Sequence, residues 1–290
     1  IEWKIEEQYK KNKRNKNDVP IVEFRKECRS FAEKWIEVHK GQFKRLGVVG
    51  DWENYYSTMS FDAEAQIVRE LGKFLKEGSL YRGFKPVLWS TVEKTALADA
   101  EVEYQDHKSD TIYTSFPIKK SNLKDLVGSE IIIWTTTPWT IPANKALAYN
   151  EVLDYIQLEL NDDNDFKSRK IVIAEALLQS VINDCKIKNY KKIKTFKGKE
   201  LKETICNHPF FDLGYEYDIP MLEASFVTTE QGTGIVHCAP SHGPDDFNLC
   251  LNNGIKAIET VDGDGKYTEH VRLFEGVHIF KANPIVIEKL

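Results

Sequence analysis

The chain has 290 residues, of which 41% are hydrophobic and 29% are charged, a composition that excludes an intrinsically disordered protein and allows one large core or two smaller ones. No run approaches the roughly 20 apolar residues that span a bilayer, and no secretory signal is evident, so we expect a soluble, cytoplasmic protein with no membrane partner. The formal net charge of -5 argues against a wholly basic nucleic-acid binder. The five cysteines form no Cys-x-x-Cys pair and are expected to be reduced thiols. Because the chain opens with Ile1 rather than Met, we expect a longer polypeptide on both sides.

The first hundred residues are predicted to be mostly helical. Apolar side chains at helical spacing predict a helix over residues 21–45 that ends near Gly47, and a second periodic run predicts a helix over 63–75. Two locally basic stretches, 10–16 and 186–199, allow two interpretations. They are either solvated faces or contacts to RNA phosphate.

From about residue 84 the pattern changes to short β-branched or aromatic runs separated by polar turns, which predicts a β-rich domain. The predicted strands cover residues 86–89, 113–116, 131–134, 155–160, 171–173, 225–227, 234–237 and 276–280. A turn between extended segments is predicted over 261–267, and helical insertions are predicted over 174–183 and 244–251.

The helical first segment and the β-rich remainder together predict a mixed α/β fold. Short strands at this spacing favour a closed or nearly closed barrel. We therefore expect a mainly helical segment over residues 1–105, followed by a β-barrel-like domain with helical insertions over 106–290.

The first chemically informative stretch follows the predicted strand 131–134. Residues 134–144 read Trp-Thr-Thr-Thr-Pro-Trp-Thr-Ile-Pro-Ala-Asn. Three consecutive threonines between a strand and two prolines place hydroxyls and free backbone N–H groups at an exposed turn. Such groups can hold a carbonyl oxygen, a ribose or a water molecule, which suits ester hydrolysis by a positioned water. A purely structural strand end is the alternative.

The second stretch concentrates glycines, histidines and carboxylates. Residues 232–247 read Gly-Thr-Gly-Ile-Val-His-Cys-Ala-Pro-Ser-His-Gly-Pro-Asp-Asp-Phe. His237 suits a general base, a hydrogen-bond donor or a size filter, and Asp246 suits an ammonium-binding carboxylate. The alternatives are a core histidine and a helix-capping aspartate.

The same residues allow two alternatives to hydrolysis by a positioned water, namely a zinc site and a covalent nucleophile. Soft ligands could gather around zinc, although we predict no metal. The residues concerned are Cys206, His208, His237, Cys238 and His242. Ser241 or Cys238 beside His237 would suit a covalent nucleophile, but no orienting third group is evident and we predict none.

The two motifs, in this order, closely resemble the editing-site motifs of class I isoleucyl-tRNA synthetases. The continuation 137–140, Thr-Pro-Trp-Thr, resembles the isoleucyl branch, since valyl and leucyl relatives usually have an arginine after the second threonine. Stretches 43–52, 85–90 and 96–104 also resemble this family, so the likeness covers almost the whole chain.

The resemblance implies the editing domain, known as connective polypeptide 1, which hydrolyses valine wrongly esterified to the isoleucine tRNA. It implies that Asp246 binds the α-ammonium group, that His237 lines the side-chain pocket and excludes isoleucine, and that Asn144 organises the site. Thr135, Thr136 and Thr137 would position the ester, the terminal adenosine and the attacking water. Trp134 and Trp139 either pack against that adenosine or fill the core.

The resemblance also sets expectations for cofactors and partners. Editing should need no cofactor, whereas the full-length synthetase would use ATP and Mg. Neither a His-Ile-Gly-His-type nor a Lys-Met-Ser-Lys-Ser motif occurs, so we expect no amino-acid activation, and the stretch 90–93 lacks the zinc-binding cysteines of many bacterial relatives. The expected partner is the acceptor end of the isoleucine tRNA carrying valine, bound by a monomer. A non-catalytic tRNA-binding module and a freestanding trans-editing deacylase remain alternatives.

Overall fold

The structure, a computed structural model, describes residues 1–161 and 169–290. The chain divides into two compact units, Ile1–Arg82 and Gly83–Leu290. The first unit contains only helices, and the second contains a large sheet with short helices. The predicted mixed α/β fold, with a β-rich part after a helical segment, is therefore confirmed.

The first unit has three α-helices, α1 (Glu2–Lys11), α2 (Ile21–Arg45) and α3 (Phe61–Lys76). The predicted helices 21–45 and 63–75 are confirmed as α2 and α3. Ser60 begins α3 because its hydroxyl accepts a hydrogen bond from the backbone N–H of Ala63 at 3.3 Å. Arg29 of α2 forms an ion pair with Glu64 of α3.

In its described residues, the second unit opens with a two-stranded hairpin and continues into a nine-stranded sheet. The hairpin consists of β1 (Trp89–Ser90) and β2 (Thr95–Ala96). The sheet contains β3 (Ile112–Lys120), β4 (Glu130–Thr135), β5 (Ala146–Tyr149), β6 (Asp154–Leu160), β7 (Lys170–Ala174), β8 (Tyr190–Lys197), β9 (Ile205–Asn207), β10 (Asp218–Glu223) and β11 (Val236–Cys238).

Within the described residues the strand order is β11-β5-β10-β9-β3-β4-β7-β6-β8. The pairs β10–β5 and β4–β7 are parallel, and the other neighbours are antiparallel. The register places His237 of β11 directly opposite Leu147 of β5. The sheet thus carries the strand of the second motif beside the strand that follows the first motif.

The sheet curls back on itself, as a barrel-like fold requires. The backbone N–H of Ala174, at the end of β7, donates to the carbonyl of Thr233 at 2.8 Å, although β7 and β11 are not neighbours in the sheet. Tyr155 of β6 also donates its hydroxyl hydrogen to the carbonyl of Gly234 at 2.8 Å. The apolar faces of the strands meet inside this curl, where residues such as Phe116 and Ile133 are fully buried.

The described residues of the second unit also form three α-helices: α4 (Leu178–Asp184), α5 (Pro244–Asn252) and α6 (Ala282–Lys289). The predicted helical insertions near 174–183 and 244–251 are confirmed as α4 and α5. In the part of the chain that the structure describes, no helix combines the length and apolar character needed to cross a membrane.

Several predicted strands are wrong or shorter than expected. Residues 225–227 form a turn, because Ala224 and Val227 are held by backbone hydrogen bonds that end the sheet there. Residues 276–280 form a turn and a 3-10 helix, since Gly276 has a φ of 76° and the ring of His278 accepts from the N–H of Phe280. Of residues 86–89 only Trp89 belongs to a strand, and of 234–237 only Val236 and His237 do.

The remaining predicted elements of the β-rich part are confirmed. They are the strands 113–116, 131–134, 155–160 and 171–173 and the turn at 261–267.

Candidate active site

The threonine motif lies at the end of β4, where the strand turns into a 3-10 helix over Pro138–Ala143. The backbone N–H of Thr137 donates to the hydroxyl of Thr135 at 3.1 Å, and the two hydroxyls are 3.2 Å apart. Pro138 can begin the helix because its first position needs no N–H donor. Thr135 is buried and Thr137 is exposed, so the turn presents a connected pair of hydroxyls that reaches from the core to the surface.

His237 connects the two sequence motifs. Its side chain on β11 is 8% exposed, its Nε2 lies 2.8 Å from the hydroxyl of Thr140, and its Nδ1 lies 2.8 Å from the amide nitrogen of Asn144. Burial lowers the pKa of His237 to about 3, with a smaller contribution from the neighbouring histidines. The imidazole is therefore neutral near pH 7.

Asp246 lies in the first turn of α5, where its carboxylate accepts a hydrogen bond from the backbone N–H of Ala239 at 2.8 Å. Burial raises the pKa of this carboxyl to about 6, although the bond to Ala239 opposes the shift. Gly243 makes room for it, since a Cβ atom there would lie 2.9 Å from the Asp246 carboxyl carbon. The site thus holds a carboxylate that lacks strong stabilisation of its charge and would gain from a cationic ligand.

The fold brings most of the predicted site residues into one region. Ala239, the partner of Asp246, follows His237 by two residues, and the ring of Trp139 meets that of His242 at 4.8 Å in an edge-to-face contact. The threonine turn, Asn144, His237 and the start of α5 therefore form one connected cluster.

Two predicted site residues are less closely tied to this cluster. Thr136 is exposed, and its backbone carbonyl accepts from the hydroxyl of Ser109 at 2.5 Å. Trp134 is partly buried beside Gly232, where a Cβ atom would lie 3.4 Å from the indole ring. Their roles in substrate binding remain predictions.

The residues considered as nucleophiles are engaged elsewhere. Ser241 donates its hydroxyl hydrogen to the carbonyl of Ile258 at 2.6 Å. Cys238 is fully buried, and burial raises the pKa of its thiol well above the ordinary value. Neither geometry supports a covalent intermediate.

His208 and His242, the other two histidines considered as zinc ligands, are held by hydrogen bonds within the fold. His208 is 1% exposed, with Nε2 2.9 Å from the carbonyl of Ile141 and Nδ1 accepting from the N–H of Phe210. The ring of His242 lies 2.8 Å from the hydroxyl of Thr260. Across residues 1–161 and 169–290, no group of three or more His, Cys, Asp or Glu is arranged to hold a metal ion.

Three contributors to this geometry are not among the residues that the sequence predicts for the site. They are the hydroxyl of Thr140, the backbone N–H of Ala239 and Gly243. The available signal for Thr140 is a single hydroxyl between two large apolar residues, Trp139 and Ile141. Such a hydroxyl needs a partner when it is buried.

Comparison with known proteins finds relatives among the class I tRNA synthetases. The family model for class I tRNA synthetases (I, L, M and V) matches residues 1–239. The isoleucine–tRNA ligase of Pelagibacter ubique (strain HTCC1062) is 83% identical over all of this chain, which covers 32% of that protein. The isoleucine–tRNA ligase of Gluconobacter oxydans (strain 621H) is 48% identical, with 100% of this chain and 31% of that protein covered.

The chain thus spans about a third of the length of the curated relatives it matches. Among solved structures, the editing domain of the cytosolic leucyl-tRNA synthetase of P. knowlesi is similar with a TM-score of 0.45 and 13% identity. That match covers 64% of this chain and 96% of the solved chain.

Proposed function

Because the chain belongs to the family of class I tRNA synthetases (I, L, M and V), we propose that it carries the post-transfer editing site of an isoleucyl-tRNA synthetase. In this proposal the site hydrolyses valine esterified to the isoleucine tRNA. A hydrophobic synthetic site discriminates poorly against a substrate one methylene smaller, which is the established reason for editing in this family. The full synthetase would use ATP and Mg elsewhere, and the editing step would need neither.

One observation carries the proposal: hydrogen bonds join the threonine turn to His237, and the carboxylate of Asp246 is held by the backbone N–H of Ala239, two residues after His237. The Asp246 carboxylate suits the α-ammonium group of an aminoacyl ester, because a half-buried carboxylate with a raised pKa is stabilised by a cationic partner. The neutral, buried His237 suits a wall of the side-chain pocket. The exposed hydroxyl of Thr137 suits the orientation of a water molecule or of the ester.

The proposed reaction is a simple hydrolysis. Water adds to the ester carbonyl carbon, and the bond from that carbon to the ribose oxygen breaks. Valine leaves as a free amino acid, and the ribose oxygen regains a proton. The partner is the acceptor end of the isoleucine tRNA, and we propose that a monomer binds it.

The test is single-turnover hydrolysis of Val-tRNA and Ile-tRNA, both charged on the isoleucine tRNA, by the 290-residue chain. We expect valine to be released in preference to isoleucine. Asp246→Asn keeps an oxygen that can accept from Ala239 but removes the charge, so valine release should fall roughly 10- to 100-fold. The neighbouring exposed Asp245 supplies the matched control, and Asp245→Asn should retain activity.

Two results would contradict this proposal. Binding of Val-tRNA without release would favour the non-catalytic tRNA-binding module. Equal losses in the two aspartate variants would remove the special role of Asp246 in ammonium binding.

A further inference from the structure

We propose that Thr140 and Asn144 hold His237 in one orientation as the tautomer protonated on Nε2, so that His237 is a fixed wall of the pocket and not the base that activates water. The inference rests on the proposed editing function for its meaning, but its structural part can be tested without any hydrolysis. It is carried by the hydrogen bonds around the ring.

The orientation of Asn144 decides one side of the ring. Its amide nitrogen lies 2.9 Å from the carbonyl oxygen of Ala146 and 2.8 Å from Nδ1 of His237. A carbonyl oxygen can only accept, so the amide group that faces Ala146 must be the NH₂ group. Exchanging the amide atoms would place two oxygens against each other, and Asn144 is fully buried, where such a contact cannot be relieved by water.

The second N–H of the same NH₂ group therefore points at Nδ1 of His237. Nδ1 must accept this hydrogen bond, which requires it to be unprotonated. A proton on Nδ1 would leave two donors facing each other in the interior, which is unfavourable because a buried donor would be left without an acceptor.

The other side of the ring agrees with this assignment. The hydroxyl of Thr140 donates its hydrogen to the carbonyl of Thr137 at 2.9 Å, which leaves the hydroxyl oxygen free to accept. The oxygen lies 2.8 Å from Nε2 of His237, so the Nε2–H group donates to it. His237 thus donates to Thr140, and Thr140 donates to the backbone carbonyl of Thr137, which can only accept.

Both ring nitrogens are thus engaged, and neither has a lone pair available for a proton of water. The bonds also fix the plane of the ring, because rotation about either side-chain torsion would break them. A fixed ring can exclude one additional methylene more sharply than a mobile one, since a difference of one methylene changes selectivity by only roughly 10- to 200-fold.

The first test is the nitrogen-15 NMR spectrum of the histidine rings in the 290-residue chain, with the His237 signals assigned by their loss in His237→Gln. We expect an unprotonated Nδ1 and a protonated Nε2 at pH 7. A protonated Nδ1, or a doubly protonated ring, would overturn the assignment. The spectrum reports on the tautomer even if the chain releases no valine. A wrong tautomer assignment can therefore be distinguished from a failure of the proposed editing function.

The second test separates positioning from packing. Thr140→Val keeps the shape but removes the acceptor for Nε2–H, so the preference for Val-tRNA over Ile-tRNA should fall at least about tenfold. Thr140→Ser restores the hydroxyl and should restore the preference. Thr260→Val is the matched control, because Thr260 is also buried and its hydroxyl lies 2.8 Å from the ring of His242.

An unchanged preference in Thr140→Val, with the His237 ring signals also unchanged, would overturn the positioning role. A similar loss in Thr260→Val would do the same, because the effect would then be one of packing. If Thr140→Val does not fold, the nitrogen-15 spectrum of the parent chain still decides the proposal, because a protonated Nδ1 would overturn it.

Discussion

At the scale of single residues, the environment of Asp246 determines its charge. The side chain is half-buried, and its carboxylate accepts a hydrogen bond from the backbone N–H of Ala239. The neighbouring Asp245 adds a like charge that raises its pKa further. Ionisation is therefore less favourable in the folded chain than in water, and a pKa of about 6 still leaves the carboxyl mostly ionised near pH 7. A bound cation would stabilise this charge, which suits an ammonium site.

Asp246 should make the stability of the chain fall as the pH rises from 4 to 6. Its folded pKa of about 6 is above the ordinary 3.8, so the folded state binds the proton more tightly than the unfolded state. The stabilisation is present below the unfolded pKa and is lost as the pH rises through the folded pKa. Asp246→Asn mimics the protonated form and should be more stable than the parent above pH 6, by at most about 3 kcal/mol.

Denaturant unfolding of the parent chain and of Asp246→Asn between pH 4 and pH 8 measures this difference. The advantage of Asp246→Asn should be small at pH 4 and largest above pH 6. A constant difference across this range would contradict the raised pKa.

The sequence indicated most of the candidate site but not how its parts meet. Threonine hydroxyls, a histidine and a carboxylate were identifiable by residue type and by family resemblance. The pairing of Thr140 with His237 joins residues 97 positions apart, and only the curled sheet brings them together. Local sequence also gave no reason to place Thr136 at the surface rather than in the cluster.

At the scale of elements, long periodic segments were predicted well and short apolar runs were not. Helix α2 has 25 residues and repeats its apolar positions many times, so its period is unambiguous. The runs 225–227 and 276–280 are too short for any period, and local turns decide their structure. The basic stretch 186–199 contains the edge strand β8, whose pairing with β6 depends on distant residues.

Gly234 lies in the loop before β11, where the backbone passes close to Ala174 at the end of β7. A glycine at this position is therefore essential to the placement of His237 on β11. Gly234 has a φ of 72°, and a Cβ atom there would lie 2.3 Å from the Cβ of Ala174. Gly234→Ala should therefore lower the free energy of unfolding by roughly 3–4 kcal/mol, through both overpacking and backbone strain. Denaturant unfolding measures the loss.

Gly254→Ala is the matched control for backbone strain alone. Gly254 has a φ of 76°, and nothing lies within 4 Å of the position of its Cβ. This variant should lose only roughly 1–2 kcal/mol. Equal losses in the two variants would show that the contact with Ala174 is not required.

At the scale of the whole molecule, the buried apolar residues are distributed very unevenly. In the first unit, all of which the structure describes, α2 and α3 contain no buried residue, and α1 buries only Ile5 and Tyr9. Large apolar side chains on α3, such as Val68 and Leu75, are more than half exposed. The apolar clusters of the chain lie in the second unit, around the curled sheet.

The cooperative stability of the chain should therefore come from residues 83–290. Burial of apolar surface is the main favourable contribution to folding, and the first unit has little of it. A protein of residues 83–290 should unfold cooperatively with a Tm within about 3 °C of that of the 290-residue chain, which corresponds to about 1 kcal/mol at this size. Residues 1–82 alone should show no cooperative transition. Calorimetry of the three proteins measures both outcomes, and a decrease of about 10 °C or more for residues 83–290 would mean that the first unit contributes substantially to stability.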